Sequence, residues 1–140
     1  MPFWAALIIG ATLFVAYANG ANDNFKGVAT LFGSGTTDYP KALWWATGTT
    51  LAGSLAAFFL AAKLIPVFQG TGLVPTSLAQ SQPFVAAVIL GAALTVFLAT
   101  KIGIPISTTH SLMGALFGSG FVAVGFDLGF DNLINSFFLP

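Results

Sequence analysis

The chain has 140 residues, of which 56% are hydrophobic and only 6% charged, with zero net charge and a mean hydropathy of +0.92. Soluble domains carry about 25% charged residues, so this composition cannot build a water-facing surface. Four Lys and four Asp make up the whole charge inventory, and there is no Arg, Glu or Cys. A disulfide scaffold, a thiolate metal site and a cysteine nucleophile are therefore excluded. A basic nucleic-acid surface is excluded by the same count. The composition is that of an all-α membrane protein.

Four uncharged apolar runs occur in order: Phe3–Ala18 (16 residues), Ala42–Ala62 (21), Pro83–Thr100 (18) and Ser111–Phe126 (16). A membrane span needs about 20 helical residues at about 1.5 Å rise each. Ala42–Ala62 meets this with Lys41 and Lys63 placed to snorkel at its ends, and Pro83–Thr100 is bounded by Lys101. The first and fourth runs are short, and each adjoins a polar cluster. Asn19-Gly20-Ala21-Asn22-Asp23-Asn24 comes after the first, and Pro105-Ile106-Ser107-Thr108-Thr109-His110 precedes the fourth. Short apolar segments interrupted by polar residues predict two broken or re-entrant helices. A signal peptide is not expected at the start, because no Lys or Arg precedes the apolar stretch and three more runs come after it. The tail from Asp127 to Pro140 gathers Phe130, Leu133, Ile134, Phe137 and Phe138 on one helical face, and reads as an interfacial helix or the start of another span.

The chain also repeats itself. Ile8–Val15 lies over Ile89–Val96 at an offset of 81, and Leu31-Phe32-Gly33-Ser34-Gly35 recurs identically as Leu116–Gly120 at an offset of 85. At that second offset Asn22-Asp23-Asn24 falls on Ser107-Thr108-Thr109. The expected organisation is a single transmembrane domain over 1–140. Its two repeat units, about 3–38 and 83–126, are linked by a span at 42–62, and repeats bracketing a midplane site are a transporter signature.

Both clusters are expected where a new helix starts, since Asp, Asn, Ser and Thr are preferred N-cap residues. Two converging helix N-termini would hold a tetrahedral oxyanion without Arg, helped by donors from Asn22, Ser107, Thr108 and Thr109. Asp23, a carboxylate in an apolar region, is either an interfacial helix cap or a cation ligand, with Asn side chains and free carbonyls completing a hard-oxygen cage. Lys26 can add charge to the anion site, pair with Asp23 or snorkel outward, and snorkelling is the expectation. His110 is expected to cap or pack rather than relay protons, and Gly114 and Gly118 to form a helix-packing face. Ser107, His110 and Asp23 are the residue types of a hydrolytic triad, but no Gly-x-Ser-x-Gly turn surrounds Ser107, so an intramembrane hydrolase is the weaker reading.

Gly20-Ala21-Asn22-Asp23, with Pro105-Ile106-Ser107-Thr108-Thr109-His110 later in the chain, resembles the inorganic phosphate transporter family, the sodium- or proton-coupled phosphate permeases. The resemblance runs from the first helix through Phe126. It implies that Asn22, Asp23, Ser107, Thr108 and Thr109 line a phosphate site, with Asp23, Asn22, Asn24 and Thr109 as sodium ligands. The coupling ion, sodium or proton, would be the only accessory species, and cation-coupled phosphate uptake by alternating access the function. A sulfate permease, or a non-transporting membrane subunit, is the alternative. Family members continue the first motif with Val-Ala-Asn-Ala, where this chain has Asn24-Phe25-Lys26-Gly27. They also carry both motifs twice, in halves of inverted topology, whereas this chain carries one of each. Self-association in opposite orientations, or pairing with a second half, would then complete the site. Lys41 and Lys63 at opposite ends of one span give no orientation bias against this.

Overall fold

The computed structural model describes residues 2–60 and 72–129. Residues 130–140 of the tail and Lys63 therefore lie outside the described residues, as does the end of the 42–62 run. Every element among the described residues is helical: α1 (Pro2–Asp23), a 3-10 turn (Lys26–Val28), α2 (Ala29–Gly33), α3 (Tyr39–Leu60), α4 (Thr76–Ala79), α5 (Gln82–Lys101) and α6 (Thr108–Val124). Two stretches, 2–33 and 82–101, are long and apolar enough to cross a membrane. At 22 residues α3 is as long as α1, and the expected span at 42–62 runs beyond its described end.

The helix α5 is the hub, packed on one side against α1 and on the other against α6. Small side chains make this possible. The buried residues of α1 are Ala11 and Ala18, and α5 buries Ala86, Ala92, Ala93, Val96 and Ala99. Short side chains let helix axes approach closely and gain dispersion contacts that lipid tails would not supply. Phe14 and Phe97 close the α1–α5 seam with ring centroids 5.3 Å apart. A second apolar cluster joins Phe84 and Val88 of α5 to Leu116 of α6, covered by Leu73, Val74 and Leu128. The large side chains Phe3, Leu13, Trp44, Phe58, Phe59 and Val122 remain exposed, an arrangement suited to lipid rather than water.

Sequence and structure differ at the first polar cluster. Propensity predicts a break at Asn19–Asn24, with these residues capping a new helix. Instead α1 continues through the cluster to Asp23, and the chain turns only at Asn24 and Phe25. Asn and Gly are poor helix formers; here the side chains of Asn19 and Asn22 bond across to the 100–108 region, and that tertiary pairing outweighs propensity. The second cluster behaves as expected. Gly103, at φ +74°, ends α5, with Ile104 N–H donating to Ala99 C=O (2.9 Å). Pro105 then keeps Ile104 from resuming a helix. Ser107 caps α6, which begins at Thr108, three residues before the apolar run.

The identical pentapeptides adopt different conformations. Leu31–Gly33 ends α2, and Ser34 and Gly35 (φ +71°) turn the chain, whereas Leu116–Gly120 lies wholly inside α6. The Gly114/Gly118 face is also not where the described helices meet, since a Cβ at either position would touch nothing within 4 Å. The close approaches are at Gly91, where an added Cβ would lie 3.2 Å from Ala115 Cβ, and at Gly120, where it would meet Leu128 and Val74.

Candidate functional site

The site forms where the end of α1 meets the segment leading into α6. Asn19 and Asn22 are one helical turn apart and so share a face of α1. Asn22 Nδ2 donates to Thr100 Oγ1 (3.0 Å) and to Ile104 C=O (3.2 Å), and Asn22 Oδ1 accepts from Ile106 N–H (3.2 Å). Asn19 Oδ1 accepts from Thr108 Oγ1. The two motifs, more than 80 residues apart, thus meet through amide side chains.

Asp23 sits at the carboxyl end of α1, where the helix dipole is negative and a cation is favoured. Lys26 supplies one. Its ammonium donates to Asp23 Oδ1 and to Ile106 C=O (3.2 Å). The expected snorkelling of Lys26 is replaced by an ion pair inside the cluster, because the turn at 24–25 brings residue 26 back over the end of its own helix.

At the other side of the site, Ser107 Oγ accepts from His110 N–H (3.3 Å), so the amino end of α6 is capped and its first turn faces the cluster. The imidazole Nδ1 of His110 lies 2.9 Å from the same Ser107 Oγ, which fixes His110 as part of the cap. A hydrolytic triad does not assemble, since the Asp23 carboxylate is held by Lys26 and not by His110. Thr109 is exposed, and its hydroxyl makes no hydrogen bond among the described residues.

The converging ends therefore have opposite sign. The expectation of two helix N-termini is corrected to one carboxyl end, at Asp23, beside one amino end, at Ser107. A carboxyl end with a carboxylate attracts a cation, and an amino end with hydroxyls attracts an anion. Of the sequence-derived residues, Asn22, Asp23, Ser107 and Thr108 are brought into this junction. Asn24 is drawn aside to α3, where its amide donates to Thr47 Oγ1 (3.1 Å) and its carbonyl oxygen accepts from Thr50 Oγ1 (2.9 Å). It borders an open cavity of about 510 Å³, shared with Asp23, Gly27, Trp45, Thr49 and Thr50. Asn19 and Thr100 join the site without having been singled out from sequence. Asn19 was legible as the i−3 partner of Asn22 on a continued helix, whereas nothing local marks Thr100.

The structure is thus helical, with two helices long and apolar enough to cross a membrane, and its polar junction pairs a carboxylate-bearing helix end with a hydroxyl-bearing one. Residues 19–136 match the phosphate transporter family, and the chain belongs to that family. It is 36% identical over 84% of its length to a sodium-dependent phosphate transporter of Toxoplasma gondii, covering 14% of that protein. It is 34% identical over 84% of its length to a sodium-dependent phosphate transporter of Plasmodium falciparum, covering 18% of that protein. A phosphate-repressible phosphate permease of Neurospora crassa is 32% identical over 86% of the chain and 21% of the permease. The chain thus spans less than a third of the length of these relatives. No solved structure matches it.

Proposed function

We propose that this chain forms part of a multi-pass, cation-coupled transporter of inorganic phosphate. The observation that carries the proposal is the junction itself, where the carboxyl end of α1 is tied by Asn22 to Ile104 and Ile106 ahead of α6 and by Asn19 to Thr108 at its amino end. Phosphate is held at the α6 end by the first-turn N–H groups and the hydroxyls of Ser107, Thr108 and Thr109, with Asn22 alongside. Sodium is held at the α1 end by Asp23 and Asn22, with Asn24 and Thr109 completing the oxygen shell on local rearrangement. Opposite charges bound side by side offset much of the cost of burying either alone.

Alternating access then moves this junction between the two membrane faces, with two broken helices reaching it. The chain acts as one half of an inverted-repeat unit, and a second half or a second copy supplies the rest of the site. The sodium-dependent relatives support sodium as the coupling ion. The test is uptake of radiolabelled phosphate by proteoliposomes, with and without an inward sodium gradient and with sulfate as competitor. Sodium-driven uptake that ignores sulfate is the expected result. Uptake of sulfate in preference, or phosphate uptake indifferent to every cation gradient, would overturn the assignment.

A further inference from the structure

The Asp23 carboxylate already holds a cation that belongs to the chain. The Lys26 ammonium contacts Asp23 Oδ1 and the Ile106 carbonyl, a carboxylate oxygen and a main-chain oxygen. Hard oxygens of these two kinds are also what a small metal cation takes as ligands. The negative end of α1 attracts the ammonium and a metal ion alike. The two side chains are 40% and 37% exposed, so the pair is held weakly enough to exchange. Asp23 also lines the 510 Å³ cavity, together with Asn24, Thr49 and Thr50. A second cation can approach Asp23 from that side without displacing backbone.

We infer that Lys26 is a tethered rival of the coupling cation for Asp23, so that sodium binds only by displacing the ammonium. Lys26 thereby sets the sodium affinity of the site. The ammonium also bonds the carbonyl of Ile106, the residue before Ser107, so once freed from Asp23 it adds positive charge near the amino end of α6 and the same displacement favours the anion. This role within transport rests on the cation-coupled reading above; competition for Asp23 does not.

The test is a sodium titration of the full chain in nanodiscs without phosphate, monitored by 23Na NMR relaxation at constant ionic strength with choline as the balancing cation. Lys26→Gln is expected to bind sodium about fivefold tighter than the unaltered chain, the scale of an exchangeable half-exposed pair. Lys26→Met is expected to do the same while keeping the apolar stem, and Lys26→Arg to stay near the starting affinity. Adding Asp23→Asn to Lys26→Gln is expected to abolish the gain. An unchanged or weaker sodium affinity in both uncharged variants overturns the inference, as does a gain that survives Asp23→Asn. Absence of phosphate uptake by the unaltered chain would instead count against the transport reading and leave the sodium titration to decide this one.

Discussion

Asn22 treats Ile106 as a strand would treat its neighbour. Its amide oxygen accepts from Ile106 N–H (3.2 Å) while its amide nitrogen donates to Ile104 C=O (3.2 Å), on the two sides of Pro105. One side chain thus satisfies one donor and one acceptor of a segment that belongs to no helix. Asn22→Ala leaves both without that partner, and the expected cost is about 1–2 kcal/mol. Asn22→Asp keeps the acceptor, loses the donor and places a second carboxylate beside Asp23, so it is expected to cost more. Thermal unfolding in detergent gives the order, and an Asp variant more stable than the Ala variant at neutral pH would refute this account.

The neighbouring threonines separate structure from transport. Thr108 bonds Asn19 across the α1–α6 junction, whereas Thr109 is exposed and its hydroxyl has no partner among the described residues. Thr108→Val is expected to lower stability by about 1 kcal/mol, the net worth of one hydrogen bond. Thr109→Val should leave the melting temperature unchanged yet reduce phosphate uptake, if its hydroxyl serves the anion. Paired melting and uptake measurements decide, and normal uptake by Thr109→Val would remove it from the site.

Helix packing makes an equally sharp contrast between glycines. An added methyl at Gly91 would lie 3.2 Å from Ala115 Cβ, an atom fixed rigidly to α6, so α5 and α6 must move apart. Overpacking of this kind costs about 1–3 kcal/mol. At Gly114 a methyl meets nothing, and removing a helical glycine gains up to about 1 kcal/mol. Gly91→Ala should therefore destabilise and Gly114→Ala should not, as chemical unfolding of the two variants would show. Equal destabilisation by both would mean that something packs on the Gly114 face.

Asp38, ahead of α3, gives a pH dependence outside the spans. Its side chain accepts from Lys41 N–H (3.0 Å) and pairs with the Lys41 ammonium (2.8 Å), which hold its carboxyl below the ordinary value of 3.8. A depressed carboxyl stabilises the fold above its ordinary range, and that contribution is lost as pH falls through the lowered value. Asp38→Asn keeps a capping oxygen but cannot titrate. Melting curves taken downward from pH 7 should converge for the two proteins once the pH falls below the lowered value, and a constant gap would contradict the pairing.

The elements that could be read from sequence are those whose signals are local. Ser107 after Pro105 announced the start of α6, and the run 83–100 matched α5 to within a residue at each end. The end of α1 could not be read this way. Asn19, Gly20 and Asn22 have the propensities of a break, and the bonds of Asn19 to Thr108 and of Asn22 to Thr100, Ile104 and Ile106 offset them. The same holds for Asn24, whose attachment to Thr47 and Thr50 of α3 depends on a turn that no spacing rule encodes. Reading both clusters as helix starts gave the junction the wrong polarity on one side, although the meeting of the two motifs was legible from their order and kind.

Leu-Phe-Gly-Ser-Gly closes one helix at 31–35 and lies within another at 116–120. Alignment register and spatial register are therefore separate quantities in this chain. Threading the 83–126 unit onto 3–38 would carry α6 through the turn at Ser34 and Gly35, into a stretch where Asp38 is already starting α3. Chimaeras that exchange the two pentapeptides should be silent, because the residues are the same. Exchanging the adjoining tripeptides, Thr36-Thr37-Asp38 for Phe121-Val122-Ala123, would move the end of a helix.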